Sequence, residues 1–251
     1  MANGLVTYRG HDLDRGDVIP SANHFEFFED FFQQINEFPV AGAADSLAEL
    51  QYPGVLISTA GTPATMTPAI AAAEVGGAIA FDTASDAIQG ISVPRCVIDP
   101  DGGDWFLETR VKVTTVEGTG GFRFGLQEDV SVTDTMSQDV GAASEDQISM
   151  FYNAGSDTAG LLETLICKNT AQTVSGSAGV AGAQMESDVF ARLGMEYNSA
   201  TNRIYFYFNG KEVAAEAVTN VSDQLLHPFI AASHDAMGDI VVDYIYARGS
   251  R

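Results

Sequence analysis

The sequence predicts an all-β sandwich, and three observations predict it. From about residue 76 onward, short apolar runs alternate with clusters of Gly, Asn, Asp and Ser, the spacing of strands and turns. One of these runs, "DWFLETRVKVTT", places Trp105, Leu107, Val111 and Val113 on one face and Glu108, Arg110 and Lys112 on the other, because side chains alternate along a strand. The third is "RIYFYFNGKEVAAEAV", two strand-like runs joined by Asn209-Gly210. Asn-Gly between such runs favours a type I′ hairpin, since both central residues need positive φ.

Taken in order, residues 1–23 carry mixed charge with Gly4, Gly10, Gly16 and Pro20 and no sustained period, the pattern of an N-terminal arm. "NHFEFFEDFFQQINEFP" follows. Phe27, Phe28, Phe31, Phe32, Ile35 and Phe38 fall on one arc at helical spacing, with Asn23 and Glu26 as a capping box and Pro39 as a stop, so periodicity gives an amphipathic helix. The core "FEFFEDF" reads equally as a strand. Arm and Phe-rich segment together span 1–40. Residues 41–75, rich in Ala, Gly, Thr and Pro, predict loops and short strands packing on the sandwich. The sandwich itself is 76–251, with strands at "GAIAFDT", "SVPRCVI", "DWFLETRVKVTT", "GFRFGLQ", "DQISMFYN", "LLETLICK", "VFARLGMEYN", "RIYFYF", "KEVAAEAV", "HPFIAASH" and "DIVVDYIYAR". In "RIYFYF" both faces are apolar, Ile204, Phe206 and Phe208 against Tyr205 and Tyr207, so something must cover the tyrosines or their hydroxyls must reach water.

Composition removes several classes of function. Thirty-four acidic against twelve basic residues give a formal charge of -22, which repels phosphate backbones and anionic headgroups and argues against nucleic-acid or membrane partners. Lysines are confined to Lys112, Lys168 and Lys211. The start "MANGLVTYRGHDLDRGD" has no basic-then-apolar pattern, so no signal peptide is predicted and the chain is expected to stay in the cytoplasm where it is made. "TPAIAAAEVGGAIAF" is interrupted by Glu74 and a glycine pair and is too short to span a bilayer. Cys96 and Cys167 are too few for a disulfide scaffold or a four-cysteine zinc site and predict buried thiols.

No motif carries chemistry. A Gly-x-Ser-x-Gly elbow is missing, "SGSAGVAG" reads as a turn, and His11, His24, His227 and His234 are scattered. "DPDGGD" sets Asp99, Asp101 and Asp104 around two glycines but lacks the closing glutamate of a calcium loop, and predicts a tight turn before Trp105. "QEDVSVTDTMSQDVGAASED" (127–146) reads as a solvated acidic loop. No cofactor and no metal are expected.

In order, "DWFLETRVKV", "GFRFGLQED", "DQISMFYN", "FARLGMEYNSATNRIYFYFNGKEVAAEAV" and "DIVVDYIYAR" resemble the concanavalin A-like (laminin G-like) jelly roll of tailed-phage virion proteins, over roughly residues 76–249. "FEFFEDF" is similar to the Phe-rich opening strand of such domains. The resemblance implies a structural component of the outer capsid surface, a decoration or cement protein bound to the major capsid protein and to copies of itself, with a trimer on a local three-fold as one arrangement. The glycosidases of this fold need a strand bearing Glu, Asp and Glu at near-alternate positions. That motif is missing: Glu108 is followed by Arg110 and Lys112, and Glu163 by Leu165, so both glutamates read as surface charges and no enzyme is expected. The alternative is a lectin-like virion or tail-appendage protein, with Tyr205, Tyr207, Asn198 and Asn202 supplying an aromatic platform and amides for a glycan. The same residues, with Phe27 and Phe31, are the candidates for protein contact.

Overall fold

The computed structural model describes residues 7–8, 11–12, 24–29, 46–49, 56–60, 69–70, 78–81, 88–94, 96–116, 121–128, 146–153, 160–169, 171–174, 180–233 and 240–250. The strands, in chain order, begin with β1 (Thr7–Tyr8), β2 (His11–Asp12), β3 (His24–Glu29), β4 (Ser46–Glu49), β5 (Leu56–Ala60) and β6 (Ala69–Ile70). They continue with β7 (Ile79–Phe81), β8 (Ile88–Ser92), β9 (Trp105–Val113), β10 (Gly121–Gln127), β11 (Gln147–Asn153) and β12 (Glu163–Lys168). The last six are β13 (Ala171–Val174), β14 (Ala191–Asn198), β15 (Arg203–Phe208), β16 (Lys211–Ala217), β17 (His227–Ser233) and β18 (Ile240–Ser250). Among the described residues the one helical element is a single 3-10 turn, Val218–Asn220.

Two antiparallel sheets form the sandwich. The first runs β13-β12-β11-β10-β17-β8-β5-β4 and the second β16-β15-β14-β9-β18-β7-β6, with β3 also paired to β18. β1 and β2 pair only with each other. Alternation assigns the inner faces. Phe122, Phe124, Leu126, Ile148, Met150, Ile166 and Ile230 of the first sheet meet Leu107, Val111, Leu193, Met195, Ile204, Phe206, Val242 and Ile245 of the second in one buried cluster.

The Phe-rich segment is a strand over His24–Glu29, and its amphipathic-helix reading fails there because the chain spends its backbone hydrogen bonds on β18. Phe25 and Phe27 pack on the core while Phe28, 39% exposed, points the other way, which is period two and not 3.6. Phe31, Phe32, Ile35 and Phe38 lie outside the described residues. "SVPRCVI" is corrected as well: the strand is Ile88–Ser92 and ends before Pro94, whose missing N–H cannot extend the ladder, leaving Ile98 as an isolated bridge to Leu226. Residues 41–75 supply three short strands, β4, β5 and β6.

One irregularity sets the faces of the second sheet. Along β18, Ile240 and Val242 point into the core, and strict alternation would send Tyr244 and Tyr246 after them. A bulge between Val242 and Tyr244 makes Asp243 the extra residue opposite β9, so Ile245 and Ala247 take the core positions and the tyrosines turn outward. Two side chains of β9 secure it. Thr109, buried opposite Leu193 and Ile245, donates its hydroxyl to the Tyr244 carbonyl at 2.7 Å, and Arg110 pairs with Asp243 at 2.5 Å.

The Asn209-Gly210 turn is as the sequence predicts. Both residues have positive φ, 50° and 79°, and Phe208 and Lys211 close the hairpin. Asn209 also exchanges hydrogen bonds with Arg192, its N–H reaching the carbonyl at 2.8 Å and its side-chain oxygen accepting the N–H at 2.9 Å, so the turn is tied to β14.

Replacing Gly210 by Ala is expected to cost more than about 1 kcal/mol in urea melts, because a Cβ disfavours the left-handed conformation. Thr109→Val, nearly isosteric, is expected to cost about 1–2 kcal/mol by removing the donor to the bulge carbonyl. A neutral result for Thr109→Val would mean that the bulge holds without it.

Candidate functional site

Each sheet has an outward face, and the two differ in what they do with their polar groups. On the second sheet, Tyr205, Tyr207, Phe106 and Tyr246 form a buried aromatic cluster with Tyr244 and Ala215 packed against it. Tyr205 and Tyr207 are 4% and 3% exposed. Their hydroxyls are engaged within the chain: Tyr207 donates to Glu196 Oε2 at 2.7 Å and Tyr205 to Thr201 Oγ1 at 2.9 Å. Tyr244 likewise donates to Glu108 Oε1. The ring of Phe28 sits 5.7 Å from that of Tyr244 and 6.3 Å from that of Tyr246.

Glu108 is therefore no surface charge. It is 5% exposed, because the tyrosines of β18 on one side and the aromatic residues of β15 beyond β14 pack around it, and alternation within β9 alone carried no sign of that. The outer edge of the same face is charged: Arg110 lies over the Phe190 ring at 4.2 Å, and Lys112 pairs with Asp188 at 2.9 Å. Asn198 and Asn202 shape the β14–β15 turn. Asn198 Oδ1 accepts the Thr201 N–H at 3.1 Å, and Asn202, with φ of 52°, accepts the Tyr197 hydroxyl at 3.1 Å.

Burial pushes the Tyr246 phenol up to about 12, with the Glu26 carboxylate adding to the shift. Burial also raises Tyr244, followed by the charge of Glu108. Burial pushes the Cys96 thiol up to about 12. Cys96 and Cys167 are buried and form no disulfide.

The outward face of the first sheet is built differently. The register aligns Cys167, Gln147, Gln127 and His227 in one row across β12, β11, β10 and β17. The next row is Leu165, Ser149, Gly125, Phe229 and Ser92, and the third is Glu163, Phe151, Arg123 and Ala231. All are buried. Glu163 is 5% exposed, so its reading as a surface charge also fails, since Phe151 and Leu165 crowd it on this face. Gly125 is obligatory at the centre: a Cβ there would lie 2.0 Å from the Ile148 carbonyl oxygen, a backbone atom that cannot swing aside.

Within these rows Gln147 holds a defined position. Its Oε1 accepts from Arg123 Nη1 at 3.2 Å and from Ser149 Oγ at 3.3 Å, while its Nε2 is buried with no hydrogen-bond partner. The Arg123 guanidinium also sits 5.3 Å from the centre of the Phe151 ring. A buried amide nitrogen without an acceptor costs about 1–3 kcal/mol of stability.

The sequence analysis set His227 aside as one of four scattered histidines and did not single out Arg123, Gln127, Gln147 or Ser149. A signal was present: in "GFRFGLQ" the polar Arg123 and Gln127 alternate with Phe122, Phe124 and Leu126, and in "DQISM" Gln147 and Ser149 alternate with Ile148 and Met150. Only the register shows that they meet.

The acidic segments separate into parts. Asp146 is not solvated: it is buried, accepts the Asn169 N–H at 2.7 Å and the Ser222 hydroxyl at 2.5 Å, and so ties the start of β11 to two turns. Glu128 is exposed, and residues 129–145 lie outside the described residues. "DPDGGD" is a turn leading into β9. Asp104 Oδ1 accepts the Ser199 N–H at 2.7 Å, and burial and the neighbouring Asp99 raise the carboxyl of Asp101. Among the described residues no group of three or more His, Cys, Asp or Glu side chains is placed to hold a metal ion.

This arrangement of sheets is shared with solved structures. Peanut lectin, in complex with a nine-residue peptide, superposes with a TM-score of 0.59 at 10% identity over 91% of this chain and 98% of its own. Lectin II from Ulex europaeus gives 0.55 at 10% identity over 92% and 100%. A protein of unknown function from Shewanella oneidensis gives 0.55 at 11% over 92% and 88%. The fold is thus a concanavalin A-like jelly-roll sandwich of the legume-lectin kind. No protein-family model matches the sequence, and no curated protein matches it.

Tyr244 and Tyr246 keep their protons in the native state at a pH where the unfolded chain has lost them, so stability is full below pH 10 and falls as pH rises toward about 12. Urea midpoints measured across that window are expected to fall, and less steeply for Tyr246→Phe. An unchanged slope in the variant would remove Tyr246 from the account.

Proposed function

We propose that the protein binds carbohydrate through the outward face of its first sheet and performs no chemistry on it. The observation that carries this reading is Gln147: a buried carboxamide with its oxygen fixed by Arg123 and Ser149 and its nitrogen unpartnered, in a row with Gln127 and His227. Sugars are recognised by such fixed hydrogen-bonding groups beside aromatic rings, and Phe151 and Phe229, both buried, lie in the adjoining rows. The likeness of the fold to lectins supports the choice of ligand class without identifying the sugar. Because these residues are buried, a ligand reaching them must displace what covers this face. On the opposite sheet the tyrosine hydroxyls and the Asn198 and Asn202 side chains already serve the chain's own structure, which makes them weaker glycan ligands.

A glycan array followed by calorimetry tests this. Saturable, competable binding to at least one glycan is expected, and Gln147→Ala should weaken it at least about tenfold, the loss of roughly one good hydrogen bond. An array with no saturable signal would overturn the reading.

Capsid decoration is the second reading, with the major capsid protein and neighbouring copies, in a trimer or otherwise, as partners on the outer virion surface. Phe28 favours it: an exposed aromatic side chain on β3, stacked beside Tyr244 and Tyr246, offers an apolar contact to another protein. Saturable co-sedimentation with undecorated capsids, weakened by Phe28→Ser, is the expected result. Protein left in the supernatant beside intact capsids would rule it out.

A further inference from the structure

We infer that Arg110 and Arg192 form a binding site for an oxyanion at the rim of the second sheet's outward face. This goes beyond the carbohydrate reading and does not depend on it. The register sets Arg110 of β9 directly opposite Arg192 of β14. Both side chains point outward, since their neighbours Val111, Ala191 and Leu193 lie in the core. Residues paired in this way have Cα atoms about 4.5–5.5 Å apart, and like charges placed there repel. In a chain of net charge -22, with carboxylates abundant, two guanidiniums set against each other mark a place where an anion relieves repulsion. A neutral hydroxyl brings no such relief.

The pair is open to solvent. The Arg110 side chain is 42% exposed and Arg192 is half-buried, with Val189 and Asn209, both exposed, close by in the chain. Asn209 holds the Arg192 backbone through two hydrogen bonds, so the site stands on a fixed strand end. Arg110 commits Nη1 to Asp243 and one face to the Phe190 ring, which leaves further N–H groups of its fork. Among the described residues no hydrogen bond or ion pair engages the Arg192 guanidinium. Such forks meet the oxygens of a carboxylate, sulfate or phosphate in charge-assisted pairs.

The other charges at this rim are engaged. Asp243 serves Arg110, Asp188 pairs with Lys112, and Glu108 accepts the Tyr244 hydroxyl in the next row. The charge of Arg192 reaches that hydroxyl too, opposing the effect of Glu108 and Asp243 on it. Glu108 is 5% exposed while both guanidiniums reach the surface, so an incoming anion meets the cations before this carboxylate. The long-range field of the acidic chain opposes the anion, and salt screens that field over about 8 Å at physiological strength.

Titration calorimetry on the intact chain, with sodium sulfate, sodium phosphate and sodium acetate each compared with sodium chloride at equal ionic strength, tests this. Saturable binding of at least one is expected, and the one that binds most tightly separates sulfate, phosphate and carboxylate as the group recognised. Arg192→Gln should weaken it at least about tenfold, the loss of a charge-assisted hydrogen bond. Arg203→Gln, at an exposed arginine that serves the Ala215 carbonyl, should leave it unchanged. Because the Arg192→Gln change removes a repulsion, its thermal midpoint in chloride is expected to equal or exceed that of the wild type. Arg192→Lys keeps the charge, loses the fork and is expected to bind more weakly than the wild type, which gives a second measure of the site. No saturable binding of any of the three anions, or binding by both Arg192 variants equal to that of the wild type, overturns the inference and leaves the carbohydrate reading of the other sheet untouched.

Discussion

The second sheet depends on a single extra residue. With Asp243 bulged out of register, β18 keeps apolar side chains in the core on both sides of the irregularity and still turns Tyr244 and Tyr246 outward. Because β18 pairs with β9, β7 and β3, a slip of one residue there would propagate into three partners. Thr109 and Arg110 hold the bulge from the neighbouring strand, one through the freed carbonyl and the other through the bulged carboxylate. A polar residue on a core-facing position, which looks like a defect in the pattern of β9, is thereby the partner of a defect in β18.

The two outer faces illustrate two ways of covering polar groups. On the second sheet tyrosine hydroxyls and carboxylates lie within reach of one another, so the layer closes on itself and raises the phenol pKa values by burial. On the first sheet the partners are amides, a hydroxyl and a guanidinium. Their donors and acceptors do not balance at Gln147. A matched buried hydrogen bond contributes stability and specificity of fold, whereas a buried donor left unmatched, as at Gln147 Nε2, costs stability. The fixed amide of Gln147 directs the functional reading to the first sheet, although the aromatic content of the second attracts attention in the sequence.

Much of the architecture was legible in the chain. Periodicity located most strands of the sandwich, the Asn209-Gly210 hairpin was specified by the φ requirement of its turn, and the count of two cysteines gave buried thiols without a bridge. These are local properties: alternation, turn chemistry and composition act within a few residues. The Phe-rich segment was ambiguous for the same reason, since its Phe spacing suits a helix and a strand alike, and pairing with the C-terminal strand decided it over His24–Glu29.

The sequence by itself determined the class of fold and where its strands turn. Tertiary structure decided which side chains meet. Glu108, Glu163 and Asp146 look like solvent-facing acids in the chain and are buried, because aromatic neighbours or hydrogen-bond donors arrive from strands and turns tens of residues away. The site at Gln147 has the same origin. Arg123 and Gln127 become its neighbours, and His227 falls in the same row beyond Gln127, only through the register of β10 with β11 and β17, and a register is a long-range pairing that no local pattern encodes.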